Sequence, residues 1–171
     1  MQAAFDILAS CRQPILIVGG HALTAHGVMR QTIDVDCLVA AEDHAALAEV
    51  LTRSGYHVCG QSENFARYAA KTADLPEVDV LLVDVATFQE LQRNSVPLRR
   101  GPHEFRVPGV AQLIALKMHA IRNEPRREAR DLGDIAELLR LNPGAIDAKR
   151  LREISEKFGP PGMTEKLQDF V

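Results

Sequence analysis

Two aspartates separated by one residue are the first chemical signal in this 171-residue sequence. Asp34 and Asp36 have apolar neighbours, and side chains two residues apart in a β-strand point to the same side. Two carboxylates held close together repel each other unless a cation lies between them. Hard oxygen ligands suit Mg²⁺ or Mn²⁺, so the pair predicts a site for one of these metals. Solvated aspartates at a strand end are the alternative, but Asp is depleted inside strands.

A double glycine, Gly19-Gly20, precedes the aspartates and ends the apolar run at residues 15–18. Glycines allow a backbone turn to approach a phosphate group closely, because they carry no Cβ atom. Together with the carboxylate pair further along the chain, the double glycine predicts a site that binds a metal ion and a triphosphate.

This combination resembles the nucleotidyltransferase superfamily, whose best-known relative is DNA polymerase beta. More narrowly, the sequence contains Gly19-Gly20-His21-Ala22, Ala25-His26-Gly27 and Arg30-x-Thr32-x-Asp34-x-Asp36. These stretches resemble the small bacterial toxin nucleotidyltransferases of the AbiEii type. The superfamily often has Gly-Ser where this chain has Gly19-Gly20, so one hydroxyl that would touch a phosphate is missing, a departure that many small bacterial members share.

The resemblance implies a third catalytic acid on a neighbouring strand. Asp79, in the apolar segment 78–83, fits that context and would ligate metal and accept the proton of the attacking hydroxyl. Glu77 and Asp84 are the competitors. Glu77 stands at the entrance of the strand, where solvation is expected, and Asp84 is expected to cap the helix that starts near Ala86.

Lys117 lies in the middle of an apolar helical stripe. Lysine is rarely buried without a partner, so this position predicts either a side chain that reaches the helix edge or one that meets a buried anion. The surrounding helix is similar to the element that supplies a triphosphate-binding lysine in the family, which implies that Lys117 contacts the β- and γ-phosphates. The stripe consists of Val110, Leu113, Ile114, Lys117 and Ile121.

The segment that begins at Arg130 resembles the Arg-Asp-x-x-Asp motif of the AbiEii-like enzymes, which orients the lysine. Asp131 is therefore expected to pair with Lys117 and to belong to the nucleotide site, while Arg130 and Asp134 are weaker candidates. Arg127, Asp131 and Asp134 share one side of a helix, so a set of surface ion pairs is the alternative.

Arg30 and Thr32 lie just before the aspartate pair and are further candidates for nucleotide binding. Arg30 could contact a phosphate with two guanidinium nitrogens or close a surface ion pair. Thr32 could hydrogen-bond to the backbone of the loop. His21, directly after the glycines, could contact a phosphate.

Periodicity and turn residues predict the elements that must position these side chains. The predicted fold class is α/β (α+β), with a nucleotidyltransferase-type mixed β-sheet flanked by helices over 1–108. A helical C-terminal extension over 109–171 is expected to pack on this core as one compact unit. Strands are predicted at 14–18, 34–39, 56–59, 65–71, 77–83, 96–100 and 103–107. Helices are predicted at 2–10, 20–27, 42–54, 86–94, 110–123, 127–141 and 147–158, with a last short piece after 162.

Composition limits the classes of function. The formal net charge is −3, so the chain is not a generally basic nucleic-acid binder. Basic residues at 99–106 and 117–130 could receive an RNA backbone, although an ordinary solvated face is the alternative. The sequence contains neither a run long enough to cross a membrane nor a signal-peptide pattern. Three widely spaced cysteines indicate free thiols in a reducing cytoplasm.

The sequence thus predicts an enzyme that uses Mg²⁺ or Mn²⁺ to move a nucleoside monophosphate from an NTP, such as ATP, to a hydroxyl acceptor. The resemblance implies tRNA or a protein as acceptor, in a toxin–antitoxin or phage-defence system with a cognate antitoxin. One alternative is a nucleotide-binding partner protein of the same fold without turnover. Another is an aminoglycoside-type enzyme, for which Glu63, Asp74 and Glu77 could supply an acidic pocket. A structural or regulatory protein that binds no nucleotide is the third.

Overall fold

The computed structural model describes residues 1–72 and 74–167. Within them the chain forms a mixed seven-stranded sheet and eight α-helices, which confirms the predicted fold class. The chain divides into two compact units. The first comprises residues 1–25 and 30–108, and the second comprises residues 26–29 and 109–171.

The first unit contains the sheet, and each predicted strand and helix of this part of the sequence is present. The clearest difference is the strand predicted at 14–18, which is reduced to two residues because Gly19 already begins the next helix. The strands are β1 Leu16–Ile17, β2 Val35–Ala40, β3 Tyr56–Ser62, β4 Phe65–Ala70, β5 Val78–Val83, β6 Val96–Arg100 and β7 His103–Val107. The helices are α1 Gln2–Ala9, α2 Gly19–Ala25, α3 His44–Arg53 and α4 Val85–Arg93.

The sheet has the order β3-β4-β5-β2-β1-β7-β6, with β2 and β5 as parallel neighbours at its centre. Strand β4 runs antiparallel to β5, and β1 runs antiparallel to β2. The side chains of β2 are almost all buried, as expected for a strand that helices cover. The register places Asp36 opposite Asp79, and Asp79 opposite Arg67 of β4. Three charged residues therefore meet across three adjacent strands.

The second unit is helical in its described part. Its longest helices, α5 and α6, contact each other, and α5 also contacts α7. Buried apolar side chains from all three form its core, in agreement with the stripe predicted on α5. The helices are α5 Val110–Asn123, α6 Glu128–Leu141, α7 Ala148–Phe158 and α8 Met163–Lys166. The core side chains include Ile114, Met118, Ile121, Ile135, Leu138, Leu151 and Ile154.

Among the helices described at residues 1–72 and 74–167, none has the length and apolar character needed to span a membrane. The three cysteines are free thiols, as expected. Cys37 is fully buried in β2, and this burial, together with the charge of Asp36, raises the pKa of its thiol. Cys37 therefore packs in the core of the sheet unit.

Asp84 caps α4, which confirms its predicted role. Its carboxylate accepts hydrogen bonds from the Thr87 backbone N–H at 2.9 Å and from the Thr87 hydroxyl at 2.7 Å. The hydroxyl and the backbone N–H groups lower the pKa of Asp84, so the carboxylate stays ionised at neutral pH.

Asp84→Ala should lower the free energy of unfolding at pH 7, because the first turn of α4 loses its acceptor. Since the folded-state pKa of Asp84 is lowered, the loss should shrink as the pH falls through that pKa. Urea denaturation at several pH values measures both effects. Asp43→Ala is the matched control, because Asp43 precedes α3 without a side-chain cap bond. Equal losses in the two variants would contradict the prediction.

Candidate active site

Three carboxylates converge where β2 and β5 begin. Asp34 directly precedes β2, Asp36 lies inside it, and Asp79 lies in β5. One oxygen from each of these carboxylates lies within 4.8 Å of the others. A set of three carboxylate oxygens at this spacing fits a hard divalent cation such as Mg²⁺ or Mn²⁺. The structure thus brings together the three residues predicted as metal ligands.

The arrangement is a consequence of strand register. Asp36 and Asp79 are direct neighbours on parallel strands, and the backbone N–H of Val18 donates to the Asp36 carbonyl at 2.9 Å. Asp79 is only 7% exposed, so its charge is partly removed from water. Carboxylates at this spacing repel one another, and a cation placed beside them relieves that repulsion.

Arg67, which is not among the site residues predicted from the sequence, supplies a cation from within the protein. Its Nε donates to Asp79 Oδ1 at 2.7 Å and its Nη2 to Asp79 Oδ2 at 2.8 Å. These bonds and the charge of Asp79 raise the pKa of Arg67. Glu77 is exposed, as predicted, and its carboxylate lies 3.8 Å from the same Nε. The competitor Glu77 is therefore a neighbour of the arginine and lies outside the group of three carboxylates.

The alternation of side chains along β4 indicates which face of the strand Arg67 occupies. Arg67 stands between Ala66 and Tyr68, which are both buried, so its side chain must point to the opposite face of β4. The sequence alone, however, does not say that β4 pairs with β5 or in which register.

The packing around the double glycine leaves little room for a Cβ atom at either position. Gly19 has a φ of +59°, and a Cβ there would lie 1.9 Å from Asp36 Oδ2. At Gly20 a Cβ would lie 2.8 Å from the Cβ of Thr32. The Thr32 hydroxyl donates to Asp34 Oδ1 at 2.8 Å and lies near the backbone carbonyl of Asp34. A side chain at position 20 would therefore overlap Thr32 unless Thr32 shifts.

Arg30 and His21 differ in their surroundings. Arg30 is half-buried in the segment that leads into β2. His21 is 8% exposed and packs edge-on against the Phe5 ring, with Arg100 Nη2 lying 3.3 Å from its Nδ1. Burial and the charge of Arg100 lower the pKa of His21, so it is neutral at pH 7. Its Nε2 is buried and has no hydrogen-bond partner within the described ranges.

A second charged cluster lies within the helical unit. The ammonium of Lys117 donates to Asp131 Oδ1 at 3.0 Å and to Asp134 Oδ2 at 2.6 Å, and its side chain is 12% exposed. Arg127 Nε donates to the second oxygen of Asp131 at 2.9 Å, and Arg130 Nε lies 3.6 Å from Asp131. Lys117 therefore meets buried anions, and its predicted pairing with Asp131 is confirmed.

Charge balance decides the ionisation of this cluster. Burial acts to raise the pKa of Asp131, but the charges and hydrogen bonds of Lys117 and Arg127 outweigh it and hold the pKa below its ordinary value. The two carboxylates engage two protons of the Lys117 ammonium, which leaves a third for another acceptor.

Several members of the predicted basic surface are engaged inside the protein. Arg127 bonds to Asp131, Arg100 Nη2 donates to the Thr24 hydroxyl at 2.9 Å, and Arg106 bonds to Ser95. Their charges are thus partly committed to the protein's own acceptors.

A family profile matches nearly the whole chain. The family described as "Nucleotidyl transferase AbiEii toxin, Type IV TA system" aligns with residues 5–169. No curated protein matches the sequence.

Solved structures resemble this one in fold at low sequence identity. ANT(2")-Ia in complex with adenylyl-2"-tobramycin has a TM-score of 0.66 and 16% identity over 91% of this chain and 94% of its own. The lincomycin-bound lincosamide antibiotic adenylyltransferase LnuA has a TM-score of 0.60 and 11% identity over 82% of this chain and 94% of its own. The Megavirus polyadenylate synthase has a TM-score of 0.60 and 13% identity over 83% of this chain and 31% of its own. The likeness confirms the predicted nucleotidyltransferase-type fold.

Gly20→Ala should destabilise the protein by about 1–3 kcal/mol, because the new Cβ would overlap Thr32 and displace it from Asp34. Gly133→Ala is the matched control, since Gly133 also lies in a helix but has open space around its Cβ position. That change should stabilise the protein by roughly 0.5–1 kcal/mol through helix propensity. Chemical denaturation measures both. A neutral or stabilising Gly20→Ala would show that Thr32 does not impose the glycine.

Asp131→Asn should cost about 3–5 kcal/mol of unfolding free energy at pH 7, because it leaves Lys117 without one of its buried partners. The folded-state pKa of Asp131 is lowered, so its stabilisation is complete above roughly pH 4 and declines as the pH falls further. The difference in unfolding free energy between wild type and variant, measured by urea denaturation, should therefore decrease from pH 7 to pH 3. Glu137→Gln, in an exposed pair with Arg140, should have a much smaller effect. A gap independent of pH would contradict the prediction.

Proposed function

The chain belongs to the AbiEii family of nucleotidyltransferases, and from that premise we propose that it moves a nucleoside monophosphate from an NTP to a hydroxyl on RNA or protein. The family match confirms the resemblance identified in the sequence and the enzyme class. The observation that carries the proposal is the group of three carboxylates, Asp34, Asp36 and Asp79, beside a glycine with positive φ.

The three carboxylates would hold Mg²⁺ or Mn²⁺. Such an ion supplies charge neutralisation for the triphosphate and for the pyrophosphate that leaves. Gly19 and Gly20 contribute a backbone that a phosphate can approach, because neither carries a Cβ. Arg30 and Thr32 belong to the segment that flanks this phosphate position, and Thr32 orients Asp34 through its hydrogen bond.

Asp79 is the proposed proton acceptor. Arg67 fixes the direction of its carboxylate through two hydrogen bonds, while each oxygen retains a further lone pair. The acceptor hydroxyl oxygen bonds to the α-phosphorus as its proton passes to Asp79. The bond between the α-phosphorus and the bridging oxygen breaks, and pyrophosphate leaves with the electron pair.

Lys117 is proposed to bind the β- and γ-phosphates. Asp131 and Asp134 accept hydrogen bonds from two of its ammonium protons, so the third proton can bond to a phosphate oxygen. These aspartates also fix the direction of the ammonium. Asp131 thus acts as a positioning residue for Lys117.

The family description includes a type IV toxin–antitoxin system, which supports a toxin role with a cognate antitoxin as partner. We place the enzyme in the cytoplasm, where NTPs, Mg²⁺ and tRNA are available. The three free thiols are consistent with that location.

Thermal unfolding with each NTP, with and without Mg²⁺, tests the proposal. One NTP should raise the unfolding midpoint only when Mg²⁺ is present, and at about 100 times its Kd the gain is about 2.7 kcal/mol. Asp34→Asn should abolish the gain, because it removes a metal-binding charge. Asp43→Asn, an aspartate outside the site, should retain it.

Transfer of label from the bound NTP to tRNA, bulk RNA or protein then identifies the acceptor. Binding without release of pyrophosphate on any acceptor would favour a nucleotide-binding partner protein. Transfer to an aminoglycoside alone would favour the small-molecule enzyme. An absence of metal-dependent binding of every NTP would refute all three nucleotide-dependent functions.

A further inference from the structure

We propose that Arg67 is a built-in counter-cation that keeps a divalent metal ion off Asp79 until an NTP is bound. This inference rests on the proposed function, since it concerns the same carboxylates. It would make Arg67 a positioning residue that couples metal binding to nucleotide binding.

The geometry of the pair is the first argument. Arg67 bonds side-on to Asp79 and engages both carboxylate oxygens, at 2.7 and 2.8 Å. The side chain of Asp79 is 10% exposed, so few directions remain from which another cation could approach it. An ion bound by Asp79 must share these oxygens with the guanidinium or displace it from one of them.

The surroundings of Arg67 allow such a displacement. Its side chain is 46% exposed, and its guanidinium lies over the Phe65 ring with 5.6 Å between its Cζ and the ring centroid. Glu77 lies 3.8 Å from its Nε and offers a second carboxylate. The guanidinium can therefore leave one Asp79 oxygen and still retain an aromatic face and an acidic neighbour.

Electrostatics then gives the order of events. A metal ion beside Asp34, Asp36 and Asp79 is attracted by three carboxylates but repelled by the adjacent guanidinium. Without a nucleotide this repulsion lowers the affinity for the ion. A triphosphate adds several negative charges at the same place, and these charges attract both the metal ion and the guanidinium of Arg67. Arg67 thus makes tight metal binding depend on the NTP.

A purely structural ion pair predicts something different. If Arg67 only joined β4 to β5, its removal would destabilise the fold and leave the metal affinity unchanged or lower. The two roles therefore differ in the direction in which metal affinity moves.

The test is a titration with Mn²⁺ alone, followed by electron paramagnetic resonance, on the full chain without nucleotide. Arg67→Met removes the charge at similar length and should bind Mn²⁺ about tenfold more tightly than wild type. Arg67→Lys keeps the charge but cannot bond side-on to both oxygens, so its affinity should lie between the two. Arg140→Met, which alters an exposed pair in the helical unit, should leave Mn²⁺ binding unchanged.

Repeating the titration with a non-hydrolysable NTP analogue completes the design. The difference in Mn²⁺ affinity between Arg67→Met and wild type should decrease, because the triphosphate already offsets the positive charge of the guanidinium. If Arg67→Met does not fold without metal, Arg67→Lys carries the comparison, and an affinity equal to or below wild type overturns the inference.

Unchanged or weaker Mn²⁺ binding in both Arg67 variants, with Mn²⁺ and the analogue still bound by wild type, overturns the inference and leaves the proposed function intact. Failure of every protein to bind Mn²⁺, with or without the analogue, overturns both.

Discussion

Repulsion among three carboxylates is the constraint on which this structure depends. Oxygens of Asp34, Asp36 and Asp79 lie within 4.8 Å of one another, at the entrances of two central strands. Such crowding is unfavourable unless cations and hydrogen bonds offset it. The residues around the group meet this need, because Arg67 binds Asp79 and Thr32 donates to Asp34. The parallel pairing of β2 and β5 brings the carboxylates together, and these two contacts offset their repulsion.

The helical unit also contains a cluster of charged groups, but there a cation lies between carboxylates. Lys117 is a nearly buried cation, and two aspartates of α6 surround it. A buried ion pair gives little net stability by itself, but removal of one partner is costly, so the cluster fixes the direction of its charges. Both units therefore hold charged groups in defined directions at the expense of stability. That expense is typical of sites where charge is needed for binding or catalysis.

What the sequence could predict depended on how local the signal was. The aspartate pair, the double glycine and the lysine on an apolar stripe are each visible within a few residues, and their elements follow from periodicity. The link between Lys117 and Asp131 joins two successive helices and was accessible through the family motif. Arg67 was missed because its partner lies on another strand, and pairing register is a tertiary property. The close approach of Thr32 to the Cβ position of Gly20 could not be predicted for the same reason, since it depends on how the loop before β2 folds back.

The charge balance also separates binding from turnover. Asp34 and Asp36 are half-buried, whereas Asp79 is nearly enclosed and held by a guanidinium through both oxygens. In the proposed reaction, Asp34 and Asp36 would exchange the ion, while Asp79 would stay fixed as it receives the proton. This chain keeps all three together with the arginine that aligns the third, and that combination favours an enzyme over a binding protein.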